Sequence, residues 1–161
     1  MATIIVEDGS GLTNSNSYIS EAELSTFATD RGVTLSGTAS VLLIKAMDYI
    51  ETLCFIGTKY NEEQALQWTR DGVYIDGYYI ERSTIPQQLK DAQAWMAISI
   101  DSGVNPFDTL DRVARREKLD VMEVEYATGS ASREQITSFN LTIQKLLCGG
   151  GSASSFSVVR A

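Results

Sequence analysis

Apolar and polar positions repeat with a helical period in four stretches of this chain and break into short β-type runs between them. The strongest helical stretch starts near Ser40 and ends at Gly57. Leu43, Ala46, Met47, Ile50, Leu53, Cys54 and Gly57 fall on one face, and Lys45, Asp48, Glu51 and Thr52 lie away from it. Leu42, Tyr49 and Phe55 widen the stripe, which predicts a helix covered on more than one side. Ser36 or Thr38 is its expected cap. An earlier helix is predicted from Ser20 to about Arg31. There Ser20 and Glu23 form a capping-box pattern, Ile19 and Leu24 stand in staple positions, and Gly32 marks the stop. A third is predicted behind Pro86, with Ser83 or Thr84 as cap. Its inner face carries Ile85, Leu89, Ala92, Trp95 or Met96, and Ser99, and Gly103 ends it. The last runs from Glu134 to Cys148, with Ile136, Phe139, Ile143, Leu146 and Leu147 inward.

The β signals are shorter. Thr3 to Val6 is a β-branched run that needs a partner. A Gly-, Ser- and Asn-rich loop follows, without the GK[ST] of a phosphate loop. Lys59 to Gln67 is polar, with a turn of helix expected at residues 61–66. Trp68, beside Arg70 and Asp71, reads as an anchor with an apolar body and a polar edge. Val73-Tyr74-Ile75 and Tyr78-Tyr79-Ile80 flank Asp76-Gly77, a strong hairpin signal. Asn105 to Lys118 mixes charges and reads as a solvated loop, partly helical, or as a contact surface through Arg112, Arg115 and Arg116. Leu119 to Tyr126 alternates like a strand with one wet face. Gly149 to Ser152 form a hinge, and Phe156, Ser157, Val158, Val159 and Arg160 behind it read either as an assembly arm or as a disordered tail. The expected fold class is mainly α: a small helical bundle with a minor β-hairpin or strand component and extended terminal arms. Residues 1–148 form the domain and residues 149–161 the arm.

Composition narrows the chemistry. The net charge of −8 argues against broad phosphate-backbone binding, which needs clustered Lys and Arg. Histidine is absent, removing the commonest general base and metal ligand. Glu7-Asp8 and Glu62-Glu63 read as solvated charge, and no serine stands in a nucleophile elbow. No zinc spacing or calcium-loop pattern is present. The expectation is a protein without enzymatic activity, cofactor or metal. Cys54 reads as a buried small hydrophobe, with a Cys54–Cys148 disulfide as the alternative. The N-terminus lacks the basic and apolar regions of a signal peptide, and no apolar window reaches the roughly 18 residues of a membrane span.

VEDGSGLTNSNSYIS, LIKAMDYIETL, QALQWTRDGV, IPQQLKDAQAWMA, KLDVMEVEY and the C-terminal LLCGGGSASSFSVVRA follow one another in a distinctive order. That order resembles a family of small tailed-bacteriophage proteins encoded among head and tail genes, often labelled DnaT-like single-stranded DNA-binding proteins. The family more often has proline where this chain has Thr69, between Trp68 and Arg70. In structure its members look like head–tail connector, or adaptor, proteins. The resemblance implies a structural virion protein of the neck: a homo-oligomeric ring, usually dodecameric, meeting the portal and tail or stopper proteins while DNA passes through its lumen. Phe156 to Arg160 are then the assembly arm, with further contacts from Trp68, Arg112, Arg115 and Arg116. The alternative is a single-stranded DNA-binding replication accessory, with bases stacking on Tyr74, Tyr78, Tyr79 and Trp68.

Overall fold

The computed structural model describes residues 2–107, 116–119, 122–125 and 137–149. Its helices are Glu21–Thr29 (α1), Ala39–Ile50 (α2), Gln87–Asp101 (α3) and Thr137–Ile143 (α4), the last continued by a 3-10 turn over Gln144–Leu146. The strands are Thr58–Lys59 (β1), Arg70–Asp71 (β2), Val73–Ile75 (β3), Tyr78–Ile80 (β4), Arg116–Leu119 (β5) and Met122–Glu125 (β6). They pair antiparallel as β1–β2, β3–β4 and β5–β6. The architecture is therefore mixed α/β, which corrects the mainly helical expectation. Much of the difference lies in residues 58–80, where β1 pairs with β2 and β3 with β4; residues 61–66, where a turn of helix was expected, form turns and bends between β1 and β2.

α3 is the central helix and packs against both α2 and α4, and α1 touches α2 and α3. Leu43, Ala46 and Ile50 of α2 meet Leu89, Ala92, Met96 and Ala97 of α3 in the core, and Phe139, Ile143 and Leu146 close it. The Ser20 capping box forms as read. At α2 the N-cap is Thr38, but its side chain makes no capping bond; the Asp101 carboxylate from the end of α3 accepts the Ser36 and Gly37 amides instead, at 2.9 and 2.7 Å. α3 begins after Pro86, so neither Ser83 nor Thr84 is its cap. No described helix is long and apolar enough to cross a membrane.

The segment after α2 departs most from expectation. The helix stops at Ile50 rather than at Gly57. Phe55 bridges to Leu147, and the Ile56 and Cys148 amides donate to Leu146 and Cys54 carbonyls. Cys54 is exposed and bonded to Cys148, so the reading of a buried small hydrophobe is corrected: the alternative pairing is the one present. Gly57 takes φ +75°, and a Cβ there would press on the Asp71 carbonyl and Val73. Only glycine lets the chain pass so close.

Arg70 completes this crossing. Its guanidinium donates to the carbonyls of Phe55, Ile56 and Gly57, and to both the carbonyl and Oε1 of Gln67, at 2.7–3.2 Å. It is 8% exposed. The non-helical carbonyls of residues 55–57 thus gain donors that a helix would have supplied.

Glu7 is also buried, against the reading of a solvated acid. Its carboxylate accepts the amides of Gly9, Gly11 and Leu12 and the Ser15 hydroxyl, at 2.8–3.1 Å, and shapes the loop that follows Val6. Val6 finds its partner in Ser17, a parallel bridge.

Arg70→Lys should lower unfolding stability by about 2–3 kcal/mol, because a single ammonium cannot reach carbonyls that a planar fork serves together. Urea denaturation measures it; an unchanged midpoint means those carbonyls have other donors. Reducing Cys54–Cys148, which closes 94 residues of sequence separation, should cost about 4–5 kcal/mol. Melting with and without reductant checks it, and identical curves contradict it.

Candidate functional site

Trp68 does not present itself to a partner. It is fully buried, edge-on to Phe55 at 6.2 Å, with its indole N–H donating to the Thr84 carbonyl at 2.9 Å. That bond joins the two ends of the segment carrying β2, β3 and β4. Beneath it, Tyr18 and Glu51 hold the backbone: the Trp68 amide donates to the Tyr18 hydroxyl at 3.0 Å, and the Gln67 amide to Glu51 Oε1 at 3.0 Å. Gln93, buried mid-way along α3, receives the Tyr18 amide and donates to Ser17 Oγ.

The outer side of this segment is aromatic. The β3–β4 hairpin turns through Asp76 (φ 52°) and Gly77 (φ 86°), the two positive φ values of a type I′ loop. Val73 and Ile75 point into the core, which forces Tyr74 outward. Tyr79 stands opposite Tyr74 in register, ring centroids 5.4 Å apart. Tyr78, at the turn, is 77% exposed; Tyr74 is 63%, Tyr79 50% and Tyr60, just past β1, 45% exposed. The Arg82 guanidinium lies 4.4 Å from the Tyr60 ring centre, a cation–π contact. At the tip, Lys145 pairs with Asp76 at 2.7 Å, pinning the turn to the 3-10 segment.

Asp71 sits among these rings. Its Oδ1 accepts the Tyr79 hydroxyl at 2.7 Å and the Gly72 amide at 2.8 Å. The Tyr79 hydrogen bond, then that of Gly72, with a smaller contribution from Arg82, hold its carboxyl below the usual range. The same contact raises the Tyr79 phenol. At neutral pH the pair is therefore a carboxylate accepting from a protonated phenol.

The surface thus joins Tyr60, Arg82, Asp71, Tyr79 and Tyr74: aromatic rings, one stacked guanidinium and one carboxylate; Tyr78, in register with Ile75, is exposed on the other face of the hairpin. The surface has the elements of a stacking platform, and it offers no dense cationic track. Among the described residues no group of three or more potential metal-ligating side chains comes together. Of the residues singled out in the sequence, Arg112, Arg115 and Phe156 to Arg160 lie outside the described residues. Arg116 lies in β5 opposite Glu125, and its side chain is not among those described. The expected loop over residues 105–118 is a strand from Arg116 onward. Tyr60 and Arg82 were missed. Their signal was an aromatic and a cation in polar stretches on either side of the hairpin.

Residues 2–161 match the DnaT-like ssDNA binding protein family. The chain belongs to that family. The match corrects the neck reading: it speaks for the single-stranded DNA-binding alternative, and nothing found speaks for a virion, connector or portal-binding role. No curated protein matches, and no solved structure does.

Glu51 supplies a test of the support beneath the platform. Desolvation raises its carboxyl above the ordinary glutamate value, against the opposing hydrogen bond from Gln67. A raised folded value means the contribution to stability is full below the ordinary value and is lost as pH rises through the folded one. Glu51→Gln keeps the Oε1 acceptor and removes the charge. The variant should melt no lower than the parent at neutral pH, and the difference should vanish on acidification toward the ordinary glutamate value. A variant that melts lower at neutral pH contradicts the burial account.

Proposed function

We propose that this protein binds single-stranded DNA by stacking bases on Tyr74, Tyr78, Tyr79 and Tyr60, with Arg82 meeting the backbone. The observation that carries this is the group of exposed tyrosines on and beside the β3–β4 hairpin, Tyr74 and Tyr79 on one face and Tyr78 on the other, held by a buried scaffold. Exposed large aromatics in one patch call for a ligand, and every base offers a π-face to such rings. Family membership supports the same ligand class.

The net charge of −8 sets the manner of binding. Asp71, Asp76 and Glu81 stand in the same segment as Arg82, so phosphate neutralisation supplies little. Affinity comes from stacking and depends weakly on salt.

Fluorescence anisotropy with a labelled oligonucleotide tests this. Tyr78→Ala and Tyr74→Ala should each weaken binding by about 1–3 kcal/mol without lowering the melting temperature. The slope of log affinity against log salt should be no steeper than about −1.5, the value for roughly two phosphates on a single strand. Unchanged affinity in both variants places the site elsewhere. A steep slope points instead to the basic residues between Arg112 and Lys118.

A further inference from the structure

The platform carries a group that a purely sequence-blind stacking surface does not need. Asp71 presents a carboxylate at the hydroxyl edge of the Tyr79 ring. Its Oδ1 is used twice, by Tyr79 and Gly72, and these bonds fix the orientation of the carboxylate. Oδ2 accepts no hydrogen bond from any described residue. Tyr79 and Tyr74 adjoin at 5.4 Å between centroids with their planes inclined at 57°, so one ring serves as the stacking face and the other as a wall beside it. A base laid on the Tyr79 ring has its hydrogen-bonding edge within reach of the side where Asp71 stands.

A carboxylate only accepts hydrogen bonds. Cytosine offers it an exocyclic amine, as in the Asp–cytosine contacts of DNA readers. Guanine offers a ring N–H beside an amine. Thymine offers a single imide N–H flanked by two carbonyl oxygens, which repel a carboxylate. Resting on the stacking reading above, we propose that Asp71 is a specificity-determining residue that favours the amine-bearing bases, cytosine, guanine and adenine, over thymine. This order is distinctive, because binders led by stacking and strand flexibility alone tend toward pyrimidine runs, thymine included.

Asp71→Asn separates the possibilities. The amide keeps an oxygen for Tyr79 and Gly72 and replaces the free acceptor with a donor, which suits thymine carbonyls. Anisotropy titrations would compare oligo(dC) with oligo(dT) at mildly alkaline pH, where cytosine is neutral and folded cytosine structures do not form. The ratio of the two affinities is the readout, since removing a negative charge raises affinity for any strand. The parent should bind oligo(dC) at least about fivefold more tightly than oligo(dT), the lower end expected for an edge contact. Asp71→Asn should bring the ratio to one or below, with the Tyr78→Ala loss still seen in the Asp71→Asn background. Equal affinities in the parent, or an unchanged ratio in Asp71→Asn, overturn the Asp71 assignment while the stacking reading stands. Failure of both oligonucleotides to bind the parent overturns the stacking reading and the Asp71 assignment together.

Discussion

The Arg70 guanidinium, gathered against the carbonyls of Phe55, Ile56 and Gly57, is the contact on which the rest of this structure turns. A chain that crosses a core outside helix or sheet must find donors for its carbonyls. Here one side chain supplies them to residues 55–57. That lets the chain end α2 at Ile50, cross to Leu146 and Leu147, and enter β1 beside β2. Arg70 itself lies in β2, so the same residue that satisfies the crossing also fixes where the hairpin begins. Tyr18, Glu51 and the Trp68 indole hold the backbone on either side of it. Burial and hydrogen bonding within the scaffold thus leave the tyrosines outside as the surplus aromatic surface.

Acidity and nucleic-acid binding are usually opposed, and the net charge of −8 makes that tension explicit. It eases once the terms are separated. Phosphate neutralisation scales with clustered cations, which the described surface does not provide. Base stacking scales with exposed rings, which it does. An acidic surround also disfavours duplex DNA, whose bases are hidden and whose phosphates are dense. A stacking platform in an acidic setting therefore selects for strands with accessible bases.

The hairpin was readable residue by residue: Asp76-Gly77 between β-type runs has few other solutions, and the structure folds it so. The Ser20 capping box and the apolar faces of α2 and α3 were equally plain. What escaped were the buried polar residues. Glu7, Arg70 and Gln93 look like solvent-facing side chains in a linear pattern, because their partners are backbone groups distant in sequence or turned inward by loops. The end of α2 was misplaced for the same reason. Leu53, Cys54 and Phe55 continue a helical stripe, but the Leu146–Cys148 backbone and Cys148 itself compete for that segment. Trp68 was recognised as an anchor, and its depth was not, since exposure depends on Phe55 and Thr84 arriving beside it. The platform was half legible: three of its tyrosines stood out, while Tyr60 and Arg82 join only through the β1–β2 pairing.

Photo-cross-linking tests the central claim, that bases lie on these rings, most directly. A mixed-sequence oligonucleotide carrying one 5-iodouracil would be irradiated in complex with the protein, digested with trypsin and mapped by mass spectrometry. Cleavage after Arg70 and Arg82 isolates a peptide holding Tyr74, Tyr78 and Tyr79. The account predicts that the nucleotide is carried on tyrosines of that peptide, with Tyr60 as the secondary site. Cross-links confined to other segments, or tyrosines of the hairpin left unmodified in a bound complex, would contradict it.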